Sequence, residues 1–82
     1  MQIGLLWFDD DKQRPAAEKI AQAARRYREK FGRAPTVCFV NPSEPIESER
    51  VGNVVVRTLR TVLPHHFWIG VEERVESLPE AA

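Results

Sequence analysis

The run "IGLLWF", Ile3 to Phe8, is apolar on both alternating faces and is cut off by three aspartates. A short apolar run of this kind reads as a strand buried on both sides. The stretch after it changes period. Ala16, Ile20, Ala23, Ala24, Tyr27 and Phe31 recur at steps of three and four, which draws one apolar stripe along a helix. Pro15 suits the first turn, where its missing N–H has no helical partner to lose. Gly32 suits the position just past the end, where a left-handed backbone closes the helix, and Pro35 prevents resumption. "TVCFV", Thr36 to Val40, is a second two-sided apolar strand, stopped by Asn41–Pro42.

Strand, long helix, strand predicts a neighbouring parallel pair joined by a right-handed crossover. "PSEPIESER", residues 42–50, carries two prolines and three glutamates and reads as a surface loop. "NVVVR", Asn53 to Arg57, is a third strand. "HFWIGVE", His66 to Glu72, is a fourth, with Phe67, Ile69 and Val71 on one face and Trp68 and Gly70 on the other. The connection between the last two lacks room for a second helix, so they are expected to form an antiparallel hairpin with a wide loop. The expected fold is a small α/β domain bordering on α+β. It has one amphipathic helix on a mixed sheet of three or four strands, in the order β-α-β-β-β. At 82 residues the chain is read as one compact domain, 1–82, with a tail near 76–82 expected to fray.

Composition narrows the setting. No apolar run approaches the roughly 20 residues that span a bilayer, so no membrane partner is expected. The opening "MQIGLLWFDDD" carries no basic leader, which argues against a signal peptide. Cys38 is the single cysteine, so an internal disulfide and a cysteine-rich zinc site are both excluded. A small domain without disulfides fits a reducing cytoplasm. Net charge is zero but unevenly spread. Lys12, Arg14, Lys19, Arg25, Arg26, Arg28, Lys30 and Arg33 crowd residues 12–33 against Glu18 and Glu29, while the stretch from Glu72 to Glu80 is acidic.

Three sets of side chains bear on chemistry. The first is the acidic end of the first strand. "LLWFDDD" resembles the opening of a response-regulator receiver domain, whose paired acids help hold magnesium. The resemblance covers about ten residues and stops there. The chain is too short for five strand–helix repeats and lacks both the later phospho-accepting aspartate and the late lysine, so it is not read as a receiver. Ligands of open α/β sheets nonetheless sit at the carboxyl ends of strands. Asp9, Asp10, Asp11 and Asn41 are placed at that edge, with oxygen ligands suited to a hard cation. His66 joins them if the last strand runs antiparallel to the first, and a His–His–Asp cluster there would suit a transition metal. The plainer reading gives the aspartates a capping role at the helix amino terminus. Three carboxylates there would repel phosphate, and no Gly-rich loop is present to cradle one, so nucleotide binding is disfavoured.

The adjacent pair His65–His66 is read as the wet end of a strand, because neighbours on a strand point to opposite faces and do not chelate one ion together. The second set is Arg25, Arg26, Arg28 and Lys30, a basic helix face that suits nucleic-acid phosphates, although no base-reading motif accompanies it. The third is Cys38, mid-strand between Val37 and Phe39, which reads as a small apolar core residue. No catalytic constellation and no cofactor motif emerges.

These features favour a non-enzymatic interaction or accessory module. Nucleic-acid binding through the helix and a metal-dependent enzyme at the acidic edge are the alternatives. One further expectation comes from counting faces. Two strands are apolar on both sides, yet one helix covers only one face. The other face is expected to carry an apolar patch that self-association as a homodimer, or another protein, would bury.

Overall fold

The computed structural model describes residues 4–72. Ile3 and the tail at 76–82 lie outside the described residues. The elements are β1 (Gly4–Phe8), α1 (Ala16–Phe31), β2 (Val37–Val40), β3 (Arg50–Val51), β4 (Val54–Thr58) and β5 (His66–Gly70). Among the described residues the α/β class and the single helix are as the sequence implies. The sheet has five strands rather than three or four, because the end of the 42–50 loop forms a two-residue strand against β4.

Sheet order is β1-β5-β2-β4-β3. This corrects two expectations. First, β1 and β2 are not neighbours: β5 inserts between them, antiparallel to both, so α1 bridges a split β-α-β unit. Second, β4 and β5 form no hairpin. They flank β2, with β4 parallel to it. The connection 59–65 therefore crosses the carboxyl end of β2. Asn41 Nδ2 holds it there by donating to the Val62 carbonyl at 2.8 Å, and the Leu59 N–H donates to the Val40 carbonyl.

One face of the sheet meets α1. Leu5 and Trp7 of β1, Phe67 and Ile69 of β5, Cys38 and Val40 of β2, and Val54 and Val56 of β4 pack there against Ile20, Ala23 and Tyr27. The register puts Leu5, Ile69, Cys38 and Val56 in one row across four strands. Their shared side is the period-two alternation read from the sequence. α1 stops where expected: Gly32 has φ 76° and its N–H donates to the Arg28 carbonyl. A left-handed backbone there is cheap for glycine alone. Phe31 ends the stripe 36 % exposed, its ring 4.6 Å from that of Tyr27. Among the described residues no helix is long and apolar enough to cross a membrane.

One basic residue behaves unlike its neighbours. Lys19 is only 4 % exposed, and its Nζ donates to the Asp9 carbonyl at 3.3 Å. It sits on the buried stripe, three residues from Ala16 and four from Ala23. Its aliphatic stem fills core space while the ammonium reaches the rim.

Candidate functional site

Two regions of the surface are candidates, and the sheet places both. The first is the edge where β1 and β2 end. A polar hollow of about 500 Å³ lies there, lined by Asp10, Asp11, Lys12, Lys19, Glu47 and His65 among others. Asp9 stands beside it with both oxygens engaged: Oδ2 accepts from Arg14 Nη1 at 2.8 Å and Oδ1 from the Asp11 N–H at 3.0 Å. Asp11 Oδ1 accepts from the Gln13 N–H. These are local turns in which a carboxylate bonds the backbone two residues on. Asn41 Oδ1 accepts from both the N–H and the hydroxyl of Ser43.

The aspartates therefore do not cap α1, which corrects the capping reading. The cap comes from a residue 30 positions away. Glu47, in the loop after β2, accepts the Ala17 N–H at 3.0 Å and the Ala16 N–H at 3.1 Å. Nothing local in the sequence marks Glu47 as the cap. The bond from Ala17, helped by that from Ala16 and by the Lys19 charge, holds the Glu47 carboxyl below its ordinary range despite some burial. A group with a lowered folded pKa stabilises the fold above its unfolded value and loses that contribution as pH falls through the folded one. Glu47→Ala is expected to cost about 1 kcal/mol near neutral pH, the usual effect of losing a cap. Urea melts at neutral and acid pH should show that gap closing in acid. A gap independent of pH would contradict the assignment.

The two histidines part company. His65 has φ 68° and lines the polar hollow, whereas His66 faces the other side of the sheet. The antiparallel relation between β1 and the last strand does hold, with Phe8 opposite His66. His66 Nδ1 lies 2.9 Å from the Pro64 carbonyl, which can only accept, so this nitrogen carries the proton. The His66 ring lies 5.0 Å from that of Phe8. Asp9, Asp10, Asp11 and Asn41 thus share one edge and His66 does not join them. Among the described residues no group of three histidine, cysteine or acidic side chains is placed to hold a metal ion.

On α1, Arg25, Arg26, Arg28 and Lys30 are all exposed. Arg26 pairs with Glu29 at 3.6 Å, and Lys30 Nζ stands 5.8 Å from the Phe31 ring centre. Arg25 and Arg28 flank a shallow hollow beside Gly52 and Asn53. Cys38 is fully buried, and burial pushes its thiol up to about 12, which keeps it protonated and inert.

The second candidate region is the sheet face opposite α1, which no described helix covers. A register row crosses it: Leu6, Trp68, Phe39 and Arg57. Phe8 and His66 stand beside that row. Leu6 and Phe8 are each 57 % exposed, Leu59 41 % and Leu63 64 %. An apolar groove of about 330 Å³ runs between the strands and the 59–65 connection, lined by Leu6, Leu59, Leu63, His66 and Trp68. The connection does not shield the face. It adds two exposed leucines to it. They stand four residues apart in "LRTVLP", an apolar content unusual for a surface loop, and that was the available signal.

Comparison of the chain with protein-family models, with curated proteins and with solved structures returns no match.

Proposed function

We propose that this chain is a non-enzymatic interaction module that binds a protein through the helix-free face of its sheet. The observation that carries the reading is the groove among Leu6, Leu59, Leu63 and Trp68, which leaves large apolar side chains in water. Contiguous apolar surface of this kind is costly to leave wet and marks contact sites. Trp68 supplies a broad, rigid contact at the groove floor, with His66 and Thr61 as polar neighbours. A central aromatic anchor with a polar rim is the usual anatomy of a protein interface. The polar hollow at the other edge supports catalysis less well, because Asp9, Asp11 and Glu47 and the helix end are already engaged within the chain.

The test is the size of the native species in extracts of the source cell. The wild-type chain is expected to sediment well above twice its own 9.4 kDa, heavier than any pair of its own copies. Leu63→Asp, which puts a charge at the rim of the groove, is expected to leave no species heavier than a pair of its own copies, while Arg28→Ala leaves the heavy species intact. Loss of that species with Arg28→Ala, or its persistence with Leu63→Asp, overturns the proposal.

A further inference from the structure

The two edges of the sheet are built differently. β3 closes one edge with only two residues, the first of them Arg50. Short length and charge both discourage further pairing. β1 closes the other edge with five residues, "GLLWF", none charged and none proline. It pairs with β5 without a bulge, from Gly4 opposite Gly70 to Phe8 opposite His66. No strand among the described residues pairs with its outer side.

One hydrogen bond reveals which backbone groups face outward. The Asp9 N–H donates to the His65 carbonyl at 3.0 Å, next in register after the Phe8–His66 pair. Residues of an antiparallel ladder alternate between bonded and non-bonded pairs. Trp7 and Leu5 therefore bond to β5. Gly4, Leu6 and Phe8 turn their N–H and C=O groups away from it, toward the open edge.

We infer that two copies of this chain join through their β1 edges, antiparallel about a two-fold axis at Leu6, so that two five-stranded sheets become one continuous sheet. That register matches every outward group. Leu6 of each copy exchanges both bonds with its equivalent, and Gly4 exchanges both with Phe8 of the second copy. An axis at Leu5 leaves Phe8 without a partner among the described residues, and one at Trp7 sets Gly4 opposite Asp10, past the end of the strand. Side chains fit the same register. On the open face Leu6 meets Leu6, and the large Phe8 ring falls opposite Gly4, which has no side chain. A Cβ at Gly4 would lie 2.9 Å from the Trp68 ring, so that ring already occupies the space beside Gly4 and offers the incoming Phe8 an aromatic neighbour. Leu6 and Phe8, each 57 % exposed, are covered in the pair. An uncharged strand meets its own copy without like-charge repulsion, and identical patches are what a closed two-fold dimer requires. The inference covers Leu6, one wall of the groove, and leaves Leu59 and Leu63 on its other wall exposed to the partner proposed above.

The test uses the purified full chain. Across a bonded antiparallel pair Cα atoms stand about 5.5 Å apart, inside the range of roughly 4.4–6.8 Å that a disulfide spans. Leu6→Cys is therefore expected to form a covalent dimer under mild oxidation, roughly tenfold faster than Leu63→Cys, whose thiol lies away from the edge and meets its equivalent only by collision. Cys38 is buried and does not compete. Leu6→Lys sets two ammonium groups against each other across the axis and removes apolar contact. It is expected to weaken the dimer about tenfold or more in sedimentation across a dilution series. Circular dichroism confirms folding, since Leu6 is not part of the core.

Equal crosslinking at the two positions, a faster reaction at Leu63, or a wild-type chain that stays at 9.4 kDa at every concentration overturns the inference. The last of these, together with a heavy species in extracts that Leu63→Asp abolishes, rejects the edge dimer while the proposed function stands. Fast crosslinking at Leu6 with a heavy species indifferent to Leu63→Asp rejects the function and keeps the dimer.

Discussion

Phe67→Ala is expected to destabilise this protein by about 3–5 kcal/mol, the range for truncating a buried aromatic. Phe67 is fully buried near the middle of the sheet, opposite Trp7 on one side and Val40 on the other, on the face that α1 covers. Its removal leaves a hole bounded by two strands and the helix, which rigid neighbours fill only in part. A chain of 82 residues holds roughly 4–12 kcal/mol in total on the usual scale per residue. The variant is therefore expected to be near the limit of folding. A urea melt followed by circular dichroism reads this as a midpoint shifted far toward zero denaturant. A midpoint within experimental scatter of wild type would mean that β5 is not central.

The second large effect is on the helix. Ile20→Ala is expected to cost about 2–5 kcal/mol, because Ile20 is fully buried against the sheet. Arg26→Ala should stay within about 0.5 kcal/mol, since its pair with Glu29 at 3.6 Å is exposed to solvent on both sides. The contrast matters more than either value. Equal losses from the two variants would remove the case for the orientation of α1.

That orientation was legible in the sequence. The stripe Ala16, Ile20, Ala23, Tyr27 is buried, Gly32 closes the helix, and the alternation of Phe67 and Ile69 against His66 and Trp68 separates the two faces of β5. Lys19 was legible too, had its place on the stripe been weighed above its charge. Strand order was not. Periodicity tells which side of a strand is buried and says nothing about its neighbours, and consecutive elements lie side by side only as a tendency. "IGLLWF" and "TVCFV" look equally central, yet β1 is an edge and β2 is interior. β3 is too short to show any period. The cap on α1 was illegible for another reason. Glu47 reaches Ala16 and Ala17 only once the loop after β2 has folded back, and until then Asp9, Asp10 and Asp11 are the nearest acids preceding the helix.

The candidate sites divide the same way. That no helix among the described residues covers one face followed from counting helices against two-sided strands. That Leu59 and Leu63 would deepen it did not, because their place depends on the 59–65 connection crossing over β2 and being held by Asn41. Strand direction puts Asp9, Asp10, Asp11 and Asn41 at one end of the sheet, but His66 turns to the other face, since a one-residue step along a strand reverses the face.

The claim that the helix-free face is the working surface is tested most directly by placing a photo-activated crosslinking amino acid at Leu63 and, in a separate variant, at Arg28, and irradiating the living source cells. The adduct from Leu63 is expected to be a discrete protein–protein species of defined mass, whose formation Trp68→Ser reduces, while Arg28 yields none. Adducts that form from Arg28 but not from Leu63, whether with protein or with nucleic acid, would contradict the account and move the working surface to the helix.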